Sequence, residues 1–437
     1  MTPVHSEPYW WDDAGIPACP PMQALPAEAD VVVIGAGLTG LSAARTLARR
    51  GKHVVVLDAQ APGIGASSRN GGMVGGGHRL SIDEMEAEFG LDTAHGLMRE
   101  AHLDSTQFAK TLIAEEAIAC DFSVSGRFRG FWSDAEYEKQ AKNLERLQKI
   151  AAVNAHMVPK SRQKEEIASD LYAGGMLLPD HGGLNPAKYV AGLLRAAQAA
   201  GALVQGDTPV TGLSRQGGGH VVTSPRGSIR AGAVLAATNG YTPAVLSDEK
   251  RRVFAVPSYI VATEPLGENR MRSLIPNGRM IVESRVRHCY YRPSPDGRRL
   301  VFGGRAGLVD VSEASAQSQL RGLIAQIFPE LKDVALTHSW RGKTGFSFNF
   351  LPHVGQHDGV WHAMGFSGNG NTMAPYLGHK AALQMLGDEE GETAFSRTGL
   401  PRRWWHRGTP WFMHFADIGF RFTDWCDNLQ KRAQQRG

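Results

Sequence analysis

Residues 30 to 58, "DVVVIGAGLTGLSAARTLARRGKHVVVLD", constrain the fold more than any other stretch of the chain. Val31 to Ile34 are a β-branched apolar run, which suits a strand buried on both faces. Gly35, Gly37 and Gly40 follow, and Leu41, Ala44, Leu47 and Ala48 then fall on one helical face that stops at Gly51. "HVVVLD" is a second strand that ends in Asp58. Strand, glycine turn, helix, strand and acid in this order form the βαβ fingerprint of a dinucleotide site. The first glycine makes a tight turn, the second lets backbone approach a pyrophosphate, and the third lets helix pack on sheet. The helix N-terminus offers unpaired N–H groups to phosphate, and Asp58 lies at the spacing from which a carboxylate accepts from a ribose hydroxyl.

A chain of 437 residues has room for roughly two to three domains. Its net charge of +4 is too small to argue for nucleic acid. Cys19, Cys120, Cys289 and Cys426 are widely spaced and form no CxxC pair, which argues against a metal or disulfide scaffold and fits a reducing compartment. "MTPVHSEPYWWDDAG" has no basic and apolar signal pattern and no run of 18 apolar residues occurs, so the expectation is a cytoplasmic protein without a membrane span.

Further along, "GIGASSRNGGMVGGG" at 63–77 is too glycine-rich for helix or strand and reads as a loop. Ser133 and Glu136 make a capping box ahead of a helix, and Asn185 with Pro186 starts another that Gly201 ends. Ala233 to Ala237 read as a buried strand, and "SPDGR" is the turn of a hairpin framed by Tyr290, Tyr291, Leu300 and Phe302. "VWHAMGFSGNGNTMAPYLGHKAALQML" is again strand, glycine turn and helix. Glycine turns between strand and helix near 35, 240 and 368 predict an α/β fold, α+β overall. Its parts are a discontinuous Rossmann-like nucleotide domain and a smaller substrate domain built on an antiparallel sheet. The expected boundaries are an N-terminal arm 1–27 lying across the surface; the nucleotide domain 28–80, 151–245 and 336–390; the substrate domain 81–150 and 246–335; and an aromatic, basic tail 391–437.

"GAGLTG" at 35–40, Asp58, "GASSRNGG" at 65–72, "LNP" at 184–186, "ATNGY" at 237–241, "YYRPSPDGRRLVFGG" at 290–304 and "GFSGNGN" at 365–371 occur together in one order and spacing. In this the chain resembles the FAD-dependent amine oxidoreductases of the D-amino-acid oxidase (DAO) superfamily, and looks most like the γ-glutamylputrescine oxidoreductases. The resemblance runs from "PYWW" at residue 8 to "PWFMHF" at residue 410. It implies FAD rather than NAD, with Gly35, Gly37 and Gly40 at the pyrophosphate and Asp58 at the ribose. Ala66, Ser67, Ser68, Arg69, Asn70 and Gly71 would run beside the flavin. Gly368, Asn369, Gly370 and Asn371 would face its pyrimidine edge with backbone N–H groups. The segment comparable to the tethering cysteine of sarcosine oxidases reads "WRGKTGFSF" and has no Cys or His, so the resemblance implies non-covalent FAD.

The resemblance further implies oxidation of a primary or secondary amine to an imine, with dioxygen as acceptor and hydrogen peroxide as product. A dehydrogenase that passes electrons to a carrier, and a flavoprotein subunit that docks a partner through its aromatic termini, remain as alternatives. A substrate carboxylate is best held by an arginine fork. Alternation places Arg285 and Arg287 on one strand face, and these two with Tyr291 are the expected pocket residues. Lys343 is a candidate for contact with flavin or dioxygen, whereas His288 and His181 read as structural histidines.

Overall fold

The computed structural model describes residues 3–285 and 288–419. The apolar run at its start forms the strand Glu28–Ile34, buried alternately into two cores. Val31 and Val33 face the helices Leu38–Arg49, Pro186–Ala199 and Gly370–Met385, while Val32 and Ile34 face the opposite side. Where a strand is covered on both faces it needs apolar residues at successive positions, which Val31 to Ile34 supply, while Glu28 and Asp30 at its start are exposed. Parallel neighbours are Val54–Leu57 and Gly227–Ala236, flanked by Leu203–Gln205 and Val360–Met364. His353–His357 closes one edge antiparallel, and the pair Gly212–Gln216 and Gly219–Ser224 folds back beside Gly227–Ala236. The carboxyl ends of the central parallel strands open into one cleft, the position where open α/β sheets bind ligands.

A second eight-stranded sheet runs in the order Leu336–Ser347, Val253–Thr263, Leu300–Gly304, Tyr290–Pro293, Met280–Glu283, Arg127–Gly130, Gly174–Leu178 and His156–Pro159. All its pairs are antiparallel except Met280–Glu283 with Arg127–Gly130. Phe128, Leu177, Tyr259, Val261, Ile281, Tyr291 and Phe302 point away from the cleft into a core shared with the helices Glu268–Leu274 and Glu313–Ile327. The alternate residues of the same strands form the wall of the cleft.

Five expectations change. The sheets divide the chain differently from 151–245 and 336–390, because strands at 156–159, 174–178 and 336–347 belong to the second sheet. Helices Ile82–Phe89, Leu91–Arg99 and Ser105–Glu115 pack their apolar faces into the core of the nucleotide-binding sheet rather than with the second sheet. The 63–77 stretch contains a one-turn helix, Ala66–Arg69, and a two-residue strand, Met73–Val74. Most of the arm is exposed, but part of it leaves the surface: Trp10 and Trp11, in the helix Trp10–Ala14, are buried with Ala187 of the helix Pro186–Ala199 and with Ile260 and Trp340 of the second sheet. Ser133 caps its helix by accepting from Glu136 N, but the Glu136 carboxylate turns to Ser284 Oγ and Trp132 N instead of closing the box. Among the described residues no helix is long and apolar enough to cross a membrane.

Candidate active site

The cleft is a single chamber of about 1140 Å³ between the two sheets. Pockets for small ligands run to roughly 1,000 Å³, so the volume suits a dinucleotide and a small molecule together. One end is the glycine turn. Gly35 takes φ +105°, and a Cβ there would stand 2.9 Å from Ala237 O, so only glycine makes this turn without strain. Helix Leu38–Arg49 begins with no side-chain cap on Gly37, and Leu38 N donates to Ser67 Oγ at 3.1 Å. The neighbouring N–H groups of this first turn have no intrahelical partner and present partial positive charge to the chamber. Asp58 accepts from Ala36 N at 2.7 Å and Gln60 N at 3.0 Å, which sets its carboxylate at the chamber wall beyond the glycines. Burial raises its pKa, against the lowering effect of those N–H groups.

Two tryptophans brace the next stretch. Trp10 Nε1 donates to Asn70 O and Trp340 Nε1 donates to Arg69 O, each at 2.8 Å, and the Arg69 guanidinium lies 4.7 Å from the Trp11 ring centroid. Ala66, Ser67, Arg69, Asn70 and Gly71 line the chamber. Across from them, Gly368, Asn369, Gly370 and Asn371 line it at the start of helix Gly370–Met385, which has no side-chain cap. Asn369 Nδ2 donates to Gly77 O at 2.5 Å, and Asn371 Nδ2 donates to Asn70 Oδ1 and Met73 O, both at 2.9 Å. These bonds hold the two glycine-rich segments at a fixed spacing.

A glycine cradle on an open helix end, an acid at ribose spacing and a second uncapped helix N-terminus fit FAD. Two of the expected contacts fall elsewhere. Gly40 does not line the chamber; a Cβ there would stand 2.0 Å from Gly35 O, so its role is close packing of helix on turn. Ser68 is fully buried on the far side of its one-turn helix, and its Oγ has no hydrogen-bond partner.

The expected pocket residues are corrected more strongly. Tyr291 faces the core, stacked on Phe302 with its hydroxyl 2.9 Å from Tyr172 Oη, and it is Tyr290 that lines the chamber. Arg285 lies past the end of the strand Met280–Glu283, not on a strand face. It borders the chamber, but its fork is spent on Glu283 through Nε at 2.7 Å and Nη2 at 2.8 Å, and Nη1 reaches Gln326 Oε1 at 3.2 Å. Its guanidinium also stacks 4.1 Å from the Trp132 ring centroid. Burial lowers its pKa, but Glu283 outweighs burial and holds the cation well above the usual arginine range. Arg287 lies outside the described residues. Lys343 borders the chamber at its exposed edge, its Nζ 5.8 Å from the Tyr241 ring centroid. His288 lines the chamber with its ring 6.3 Å from Tyr290. His181 is buried against Gly75, where burial and the nearby Arg127 hold it neutral.

What sequence reasoning missed is a set of arginines. Arg79, Arg127, Arg129 and Arg305 all line the chamber. Arg127 and Arg129 flank core residue Phe128 on one strand, so the "RFR" alternation was the available signal. Arg305 stands two residues beyond Gly303 on the face that Tyr290 occupies, and both it and Arg79 lie over the Phe346 ring at 5.0 and 5.2 Å. Arg79 Nε donates to Ser367 O at 3.3 Å, beside the Gly368 turn. Burial and mutual repulsion push Arg127 down to about 10 and Arg305 to about 9. Tyr290 Oη and Ser258 Oγ share a hydrogen bond of 3.0 Å at the centre of this wall.

Comparison with known proteins agrees with this geometry. The family model "FAD dependent oxidoreductase" (DAO) matches residues 30–383. A probable oxidoreductase, OrdL, of Haemophilus influenzae is 31% identical over 384 residues, covering 86% of each chain. The γ-glutamylputrescine oxidoreductase of Escherichia coli is 29% identical over 406 residues, 92% of this chain and 93% of that one. Among solved structures, glycine oxidase from Geobacillus kaustophilus superposes with a TM-score of 0.68 at 23% identity, over 86% of this chain and all of that one. With a mixed fold, an FAD-shaped cradle and a family match across most of its length, the chain belongs to the DAO family of FAD-dependent oxidoreductases, and FAD is its cofactor.

Proposed function

We propose that the protein oxidises a primary or secondary amine that carries a carboxylate. Candidates are an N-substituted amino acid or a γ-glutamylated amine, the latter in keeping with the name of the Escherichia coli relative. FAD supplies the two-electron acceptor: a hydride equivalent leaves the C–H next to a neutral amine, giving an imine that water splits to a carbonyl compound and an amine. Dioxygen then takes the two electrons with two protons and leaves as hydrogen peroxide.

The observation that carries this reading is the continuity of one chamber from the dinucleotide cradle to an arginine-rich wall. The wall begins beside the two segments that bracket the flavin position. Tyr290 packs against Gly71, where a Cβ would stand 2.7 Å from the Tyr290 ring, and Arg79 reaches Ser367. An arginine there binds a carboxylate through two parallel N–H bonds and so fixes the adjacent carbon over the flavin. The same fixed cations favour transfer of negative charge to dioxygen. The test is an anaerobic screen of the yellow protein against amines offered with and without a carboxylate. Bleaching by the carboxylate form, reversed by air with formation of peroxide, supports the reading. Bleaching reversed only by an artificial acceptor makes the enzyme a dehydrogenase, and no bleaching by any amine overturns the reading.

A further inference from the structure

One carboxylate does not account for the number of arginines on the chamber wall. Arg129 pairs across the sheet with Val282, and Val282 with Tyr290, so Arg129 stands two strands from Tyr290. At about 4.8 Å per strand, their backbones are roughly 10 Å apart. Arg127, two residues along the same strand, adds a second cation to that far end. Among the described residues neither Arg127 nor Arg129 forms an ion pair, and Arg127 Nε is buried without any hydrogen-bond partner. The Glu283 carboxylate on the same wall is consumed by Arg285. His102 and His181 adjoin Arg127 and add no negative charge, since burial and the neighbouring cations hold both neutral, His102 at about 3. The Glu136 carboxylate is close enough to favour the charged form of Arg129, but it forms no ion pair with it and accepts from Ser284 Oγ and Trp132 N. Two cations held this far from water with no paired carboxylate are compensated fully only when an anion completes the site.

We propose that Arg127 and Arg129 form a second carboxylate subsite, so that the preferred substrate is an amine bearing two carboxylates. This rests on the function proposed above. The carboxylate nearer the amine meets Arg305 and Arg79 beside Tyr290, and the distal one meets Arg127 and Arg129. Such a ligand brings two negative charges to four positive ones. In the same form, with its reacting amine neutral, a γ-glutamylated diamine carries one carboxylate and one ammonium, brings no net charge to the four cations and is disfavoured relative to the dicarboxylate.

The test is binding of unreactive acids to the FAD-loaded protein, read from the shift of the flavin spectrum and by calorimetry. Glutarate is compared with its monomethyl ester. Wild type is expected to bind glutarate about 10- to 100-fold more tightly, the range for one charge-assisted contact. Arg127→Met and Arg129→Met are each expected to shrink that ratio toward one while the monoester binds as before. Arg129→Lys, which keeps the charge without the fork, should retain part of it. Equal binding of the two acids by wild type, which needs no variant, overturns the proposal. So does a ratio that survives both methionine variants with FAD still bound. If mono-acid amines nonetheless bleach the flavin, amine oxidation stands and the second subsite falls. If glutarate binds in an arginine-dependent way but no amine bleaches the flavin, the subsite stands and the amine reading falls.

Discussion

Arg285 offers the sharpest test of whether an arginine beside the chamber serves substrate or scaffold. Its side chain is 7% exposed and that of Glu283 is fully buried, so solvent screens their attraction little. Glu283 also accepts from Cys289 N at 2.9 Å and Tyr172 Oη at 3.2 Å. Arg285→Met would leave that buried carboxyl without its cation, a change that costs ~3–5 kcal/mol in buried pairs. Glu283→Gln would strand the guanidinium at a similar cost. Unfolding entropy is about 2.1 cal/mol/K per residue, so over the whole chain each single variant should melt roughly 3–5 °C lower. The double variant buries neither charge, and its loss should fall short of the summed single losses by about 2 kcal/mol. The assay is thermal and denaturant unfolding at saturating FAD, so that cofactor release does not enter the comparison. Substrate discrimination by carboxylate should change little in Arg285→Met. If that variant melts with wild type and loses affinity only for carboxylate-bearing ligands, the guanidinium is free for substrate and the ion-pair argument is wrong.

Three further outcomes follow from the same geometry. Asp58→Ala should weaken FAD binding about 10- to 150-fold, the equivalent of a charge-assisted bond of 1.5–3 kcal/mol, measured by titration of the apoprotein; unchanged affinity would remove Asp58 from the ribose. Acid or heat should release FAD into the supernatant, and colour that stays with the precipitate would show a covalent link. His353, bonded to Asn349 Oδ1 and Thr398 Oγ1, and His362 are buried neutral, with burial pushing them down to about 3 and about 4. Unfolded, each takes a proton near 6.5, so between pH 6.5 and about 4 the unfolded chain binds more protons. Stability should therefore fall as pH drops through that window, by ~1.4 kcal/mol per unit for each histidine, and His353→Gln should flatten the slope measured by denaturant unfolding.

Much of the fold is legible in the chain because its local signals agree. The apolar run Val31 to Ile34, the glycine turn, Asn185–Pro186 and Gly201 each specify the element that the structure shows, and no long-range information is needed to place them. The mixed sheet assignment of 156–178 and 336–347 depends instead on which distant strands pair, which the local pattern of a strand, short or long, does not encode. The burial of Trp10 and Trp11 likewise depends on a gap between the second sheet and the helix Pro186–Ala199 that only the assembled fold creates.

At the site, the cofactor end was legible because its glycines answer to backbone geometry. The substrate end was not, because alternation says which residues share a face but not which face meets the chamber. Tyr290 and Tyr291 differ by that single bit: Ile281 and Phe302 beside Tyr291 make its face the core. Arg285 fails for a different reason. Its strand ends at Glu283, and the carboxylate two residues before it captures the fork. The same alternation applied to "RFR" at 127–129 does point to the chamber, since Phe128 fixes which face is buried.

The central claim, that one chamber brings FAD and a carboxylate-bearing amine together, is tested most directly by a single anaerobic turnover. Protein of known FAD content is mixed with excess carboxylate-bearing amine, and the bleached flavin and the carbonyl product are counted in the same tube. The account predicts one carbonyl formed for each FAD bleached, in wild type, and neither signal for the same carbon skeleton lacking the amine. Bleaching without carbonyl product, or equal bleaching by the amine-free acid, would contradict it.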